Sequence, residues 1–233
     1  MKLISLLLCV TAALAEPVMI AKRADPLGID VSSNNGAVDW SSWKSKGYTF
    51  AYIKATEGST YTNPDFSSQY TGATNAGFIR GGYHFANPAG ASGSAQASYF
   101  LKHGGGWSAD GITLPGALDV EGESRLSGCY GLSQSAMVSW IKSFSTEYHS
   151  STTRYISLIW SCPVIYTGLN WWQTCTGNSN AFVSTNPLWF AHPGSTIGTL
   201  PGGWSYTTFW QNGEVSSTDV DKFNGDSAGL NRY

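Results

Sequence analysis

The chain has 233 residues, of which only 12% are charged, a formal net charge of −2 and ten tryptophans. It carries no basic run, which argues against nucleic acid as a partner, and no apolar run long enough to span a bilayer. Cys129, Cys162 and Cys175 form no C-x-x-C pair and there is no histidine cluster, so neither a metal nor any other cofactor is expected.

Met1-Lys2, the apolar stretch Leu6 to Val10 and the small-residue exit Ala13-Leu14-Ala15 read as a secretory signal over residues 1–15. Residues 16–23 end in Lys22-Arg23 and read as a short propeptide with a dibasic processing site. The expected mature chain, 24–233, is long enough for one substantial core and is read as a single secreted, extracellular domain. Loss of Lys2, Lys22, Arg23 and Glu16 takes its formal charge to −4. In an oxidising compartment its three cysteines predict one disulfide and one free thiol.

Gly28 to Val31 opens the fold as a strand, and Asp39 caps a short helix with Trp40 and Trp43 three apart, ending near Gly47. Phe50 to Lys54 is a second strand, followed by a polar loop from Ala55 to Thr62. Asn63-Pro64-Asp65 starts a helix that Gly77 ends. Phe78 to Phe85 gives a third strand, Ser94 to Lys102 a helix, and Leu114 to Val120 a fourth strand. Ser133 caps a helix to about His149, with Met137, Trp140, Ile141, Phe144 and Tyr148 at 3–4 spacing. Pro163 to Thr167 is a fifth strand. After it the helical signal fades, and Leu188 to Ala191, Tyr206 to Gln211 and Thr218 to Val220 read as strands. This order predicts an α/β fold: a βα barrel, TIM-barrel-like, of about five βα units followed by extra strands, its last helices missing.

The sequence Leu118-Asp119-Val120-Glu121-Gly122 carries the chemistry. Residues two apart on a strand share a face, so Asp119 and Glu121 project into one site. Glycosidic hydrolysis needs such a pair, one acid to donate a proton and another to stabilise the sugar cation. In a barrel the C-terminal strand ends hold the site, and here they bring Asp30, Tyr83, His84, Tyr166, Trp189, His192 and Gln211 beside the pair, with Asp219 on the last strand. Four carboxyls on one face are tolerable only if their pKa values are split. Tyr83, Tyr166 and Trp189 are read as candidate sugar-stacking rings or as core residues. His84 is read as a structural histidine, Lys54 and Glu57 as a pair beside the site or a solvated loop, and His103 and His149 are assigned nothing.

These segments resemble the Chalaropsis-type lysozymes of glycoside hydrolase family 25. The likeness runs from Gly28-Ile29-Asp30-Val31-Ser32 through Tyr52-Ile53-Lys54-Ala55-Thr56-Glu57-Gly58, Gly82-Tyr83-His84-Phe85, Leu118 to Glu121, Pro163 to Thr167 and Leu188 to His192, to Trp210-Gln211 and Asp219 to Gly225. It implies a flattened barrel and a muramidase that cuts the β-1,4 bond between N-acetylmuramic acid and N-acetylglucosamine in peptidoglycan. Glu121 would be the general acid, and Asp119 would steer the substrate's acetamido group or stabilise the cation. Asp30 and Asp219 would complete the acidic floor; Asp221 fits the last motif more loosely. The resemblance also implies a Cys129–Cys175 disulfide, leaving Cys162 free. Ile156 to Cys162 departs from the family pattern as an apolar insertion. The partner expected is the peptidoglycan glycan strand, acted on by a monomer. The alternatives are a chitinase-like hydrolase, although the D-x-x-D-x-D-x-E pattern is absent, and a non-catalytic glycan-binding barrel.

Overall fold

The computed structural model describes residues 25–122, 128–152 and 162–232. The expected signal and propeptide lie outside the described residues, as does the expected insertion up to Ser161. Eight strands close into a barrel: β1 (Leu27–Val31), β2 (Tyr48–Glu57), β4 (Ile79–Phe85), β5 (Ala117–Asp119), β6 (Val164–Gly168), β7 (Leu188–Ala191), β8 (Phe209–Val215) and β9 (Thr218–Phe223). β1, β2, β4, β5, β6, β7 and β8 run parallel to one another in the barrel, while β9 lies antiparallel to both β8 and β1. A ninth, two-residue strand, β3 (Tyr61–Thr62), folds back on β2, so part of the expected polar loop is a hairpin.

Among the described residues five α-helices connect the strands: α1 (Trp40–Ser45), α2 (Phe66–Asn75), α3 (Gly93–Lys102), α4 (Gln134–Thr152) and α5 (Leu169–Thr176); α6 (Ser227–Leu230) follows the barrel. Five βα units followed by further strands is the order expected. Asp39 caps α1 through the Ser42 N–H at 2.9 Å, and Ser92 caps α3 through Ala95 N–H at 3.2 Å. Asn63 does not cap α2 directly. Its Oδ1 accepts from Asp65 N–H in the turn before the helix.

Three further elements depart from the sequence reading. α5 fills the stretch where the helical signal was judged to fade; Gly177, left-handed at φ 65°, closes it. The fourth strand is only Ala117–Asp119, because Pro115 has no N–H to pair and Gly116 N–H is taken by the Tyr148 hydroxyl at 2.7 Å. The seventh strand begins at Phe209 rather than Tyr206 and runs on to Val215, where a two-residue turn returns the chain as β9.

Strand alternation sorts the side chains into layers. Phe50, Tyr52, Ala117, Val164, Phe209 and Phe223 point inward and fill the barrel. Ala51, Ile53, Ile29 and Val31 point outward against Trp40, Trp43 and Ala73 of α1 and α2. Leu118, Ile165, Leu188 and Phe190 pack outward against Phe100, Met137, Phe144 and Trp172 of α3, α4 and α5. Inward positions are thus apolar through the barrel's depth and become acidic only at one mouth.

Candidate active site

That mouth holds a cleft of ≈ 210 Å³ lined by Asp30, Asp119, Glu121 and Asp219 together with Lys54, Tyr83, Tyr166, Trp189 and Gln211. Of the residues that the strand ends were expected to gather, the four acids, Tyr83, Tyr166, Trp189 and Gln211 line it, whereas His84 and His192 do not. A larger cavity of ≈ 630 Å³ opens at the opposite end, beside Ile79 and Phe223, and no carboxylate lines it.

Each acid reaches the cleft for a backbone reason. Asp30 is an inward position near the end of β1, and Asp119 ends β5. Glu121 lies beyond the strand, yet the alternation persists: Val120 is buried outward, with its N–H on Tyr166 O at 3.0 Å. The Tyr130 hydroxyl donates to the Glu121 carbonyl at 3.0 Å. Asp219 arrives differently. It sits at the start of β9, and because β9 is reversed its first residues lie opposite the last residues of β1, pairing Asp219 with Asp30.

The electrostatics of the cleft favour retained protons. Burial, then the Asp219 charge, pushes Asp30 up to about 7, against the pull of the Gln211 N–H. Burial raises Asp119 well above the carboxylate range, with Glu121 adding to it and Lys54 opposing. Glu121 is raised by burial and by Asp219, partly offset by Lys54. Lys54 Nζ pairs with Glu57 at 2.6 Å and lies over the Phe85 ring, which places the pair beside the site rather than in a solvated loop. Asp119 Oδ1 is buried with no hydrogen-bond partner.

A hydrogen-bond chain ties the floor together. The Tyr166 hydroxyl donates to Gln211 Oε1 at 2.8 Å, which fixes the amide so that Nε2 donates to Asp30 Oδ2 at 2.9 Å. Trp189 Nε1 donates to Asp221 Oδ1 at 2.8 Å. Tyr83, Tyr166 and Trp189 line the cleft but are nearly enclosed; Trp189 is 2% exposed and stacks on Tyr52 at 4.7 Å. They form walls and floor, and little of any ring face is open. Gln211 and Asp221 hold more of the floor than their place in the sequence indicates. Their signal was the same alternation, since Gln211 pairs with Asp221 across β8 and β9.

The remaining histidines stay out of the cleft. His84 Nε2–H donates to Gln96 Oε1 at 3.0 Å and Nδ1 accepts from the Thr56 hydroxyl at 2.8 Å, the tautomer following from Gln96 Nε2 donating to Asn87 O. Burial lowers its pKa to about 4, so it is a neutral structural residue. His192 stacks on Phe190. Cys129 and Cys175 form a disulfide, and Cys162 is a free thiol. Among the described residues no cluster suited to a metal ion is found, and no helix is long and apolar enough to cross a membrane.

The model of "Glycosyl hydrolases family 25" matches residues 29–220. The chain is 56% identical over 192 residues to an N,O-diacetylmuramidase of Chalaropsis sp, covering 81% of this chain and 88% of that protein. It is 50% identical over 210 residues to Lysozyme M1 of Streptomyces globisporus, covering 87% and 69% respectively. The structure of a muramidase from Trichobolus zukalii superposes with a TM-score of 0.83 at 52% identity, covering 88% of this chain and 97% of that one.

Proposed function

Because the chain belongs to glycosyl hydrolases family 25, we propose that it is a secreted muramidase whose Glu121 protonates the glycosidic oxygen. The enzyme is a glycoside hydrolase that degrades peptidoglycan, at the β-1,4 bond between N-acetylmuramic acid and N-acetylglucosamine. The observation that carries Glu121 is its place in the cleft with a pKa raised by burial and by Asp219. A general acid must still hold its proton at the working pH, and such an environment provides that. As it donates, positive charge grows on the sugar ring beside Asp119, Asp30 and Asp219; that charge lowers their hold on protons, and those that ionise stabilise it.

Asp119 is the assisting acid. Its unpartnered Oδ1 is available to the substrate's acetamido N–H, which would turn the acetamido oxygen toward the anomeric carbon. The products leave from a single-domain monomer, and mature residues 24–233 hold all the chemistry. Secretion rests on residues 1–15 and fits a polymeric wall substrate.

The test is digestion of purified peptidoglycan by the mature protein beside Glu121→Gln, with mass spectrometry of the fragments. Fragments ending in reducing N-acetylmuramic acid are expected from the wild type, with a loss of about 10²–10⁴-fold in the variant. A folded wild type that releases no fragments from peptidoglycan but cuts chitin oligomers would replace this reading with the chitinase one.

A further inference from the structure

Asp221 is the most enclosed acid among the described residues, 1% exposed, and has no part in the mechanism above. Its place follows from register. On β9 it lies one inward position below Asp219, flanked by Gln211 of β8 and Gly28 of β1. No side chain at Gly28 intervenes, and the Phe50 ring fills the space a Cβ would take there. Asp221 therefore faces Asp30, close enough that each carboxyl shifts the other's pKa through a hydrogen bond as well as through charge.

The donors around this contact are accounted for. Asp30 Oδ2 accepts from Gln211 Nε2, and Asp221 Oδ1 accepts from Trp189 Nε1. Asp221 Oδ2 is buried and no N–H or O–H reaches it. Two ionised carboxylates in buried contact repel, and a buried acceptor without a donor costs the full desolvation of that oxygen. One proton between them removes both penalties.

We propose that Asp221 is a positioning residue that remains a carboxylic acid beneath the cleft and donates its Oδ2–H to Asp30. Asp30 is then gripped from two sides, by the Gln211 amide and by the Asp221 hydroxyl, and once Asp30 is ionised the pair presents one negative charge to the sugar cation rather than two. The direction of the contact agrees, since it raises Asp221 and lowers Asp30. Burial is the largest cause of the rise in Asp221, followed by the Asp30 charge, with Asp219 on its own strand adding to it. From β2 the weakly acidic Tyr48 hydroxyl interacts with it, and from β7 the neutral Trp189.

The role in catalysis rests on the muramidase reading, but the protonation state does not, and the test separates them. Wild-type protein carrying ¹³C at the aspartate carboxyls is titrated by NMR from pH 4 to 8. An acid-form carboxyl signal that persists to neutral pH and disappears in Asp221→Asn is expected. If every signal lost in Asp221→Asn is already ionised by pH 5, the proposal is overturned, and this holds even if the protein cuts no peptidoglycan. Activity provides the second arm. Asn keeps a donor toward Asp30 and an acceptor for Trp189, so Asp221→Asn should retain kcat within about threefold at acid pH. Asp221→Leu keeps the volume and loses the donor, and should lose roughly tenfold or more in kcat with KM little changed. Equal activity of the Leu and Asn variants would show that Asp221 only packs. If neither variant folds, Asp119→Asn and Asp30→Asn remove the other strongly raised carboxyl signals; a persistent acid signal left in both variants supports the proposal, and the absence of any such signal in the wild type overturns it.

Discussion

Single side chains at the mouth and in the outer core pull stability in opposite directions as pH changes. Asp30 titrates near 7 in the folded protein against an ordinary 3.8, so the fold binds its proton more tightly than the unfolded chain does. That contribution is complete below about pH 4 and is lost as pH rises through about 7. His84 is the reverse: lowered from 6.5 to about 4, it favours the fold above 6.5 and loses that contribution as pH falls toward 4. The two nearly offset each other across this window. Asp119 and Asp221, both raised by burial, tip the balance toward acid. Thermal unfolding followed by circular dichroism should give a melting temperature that falls between pH 5 and 8. In Asp30→Asn the fall should be shallower; a steeper one would contradict the assignment.

Helices and turns make their own demands. Where α3 crosses α4, Gly93 comes so close that an added Cβ would lie 2.2 Å from the Trp140 carbonyl oxygen and 2.7 Å from Phe144 N. Those are backbone atoms, which cannot swing aside. Gly93→Ala should therefore cost roughly 3 kcal/mol by chemical denaturation, although alanine is the better helix former. The β8–β9 turn is the opposite case. Ser216 and Ser217 both have positive φ, 52° and 59°, in a two-residue hairpin that glycine and asparagine favour. Replacing Ser216-Ser217 by Asn-Gly should raise stability by about 1 kcal/mol, measured in the same denaturation assay. The recorded contact of that pair, Asn35 Nδ2 donating to Ser217 O, uses only backbone on the turn's side and survives the change.

For the molecule as a whole, the disulfide couples stability to the site. Cys129 lies in the segment that carries Tyr130, whose hydroxyl holds the Glu121 carbonyl, and Cys175 lies in α5. The bridge closes a sequence separation of 46, a loop whose constraint is worth about 4 kcal/mol in the unfolded-chain model. Cys129→Ser with Cys175→Ser should lower the denaturation free energy by an amount of that order. It should also reduce kcat more than it raises KM, because the loop positions the acid rather than the distal sugars. Unchanged kcat in the folded double variant would show that Tyr130 alone suffices.

Alternation along the strands made the barrel, its first four βα units and the common face of Asp119 and Glu121 readable from the chain, because side-chain direction in a strand depends only on local geometry. The caps at Asp39 and Ser133 and the close of α2 at Gly77 were readable for the same reason. What was not local was not readable. The reversal of β9, which delivers Asp219 to the mouth and sets Asp221 against Asp30, depends on how eight strands close. The Tyr166–Gln211–Asp30 chain joins residues up to 181 positions apart in sequence. Composition and order determined which acids the protein owns and which way they face; only barrel closure decided how close they come and which must keep a proton, since desolvation and charge repulsion depend on distance through space.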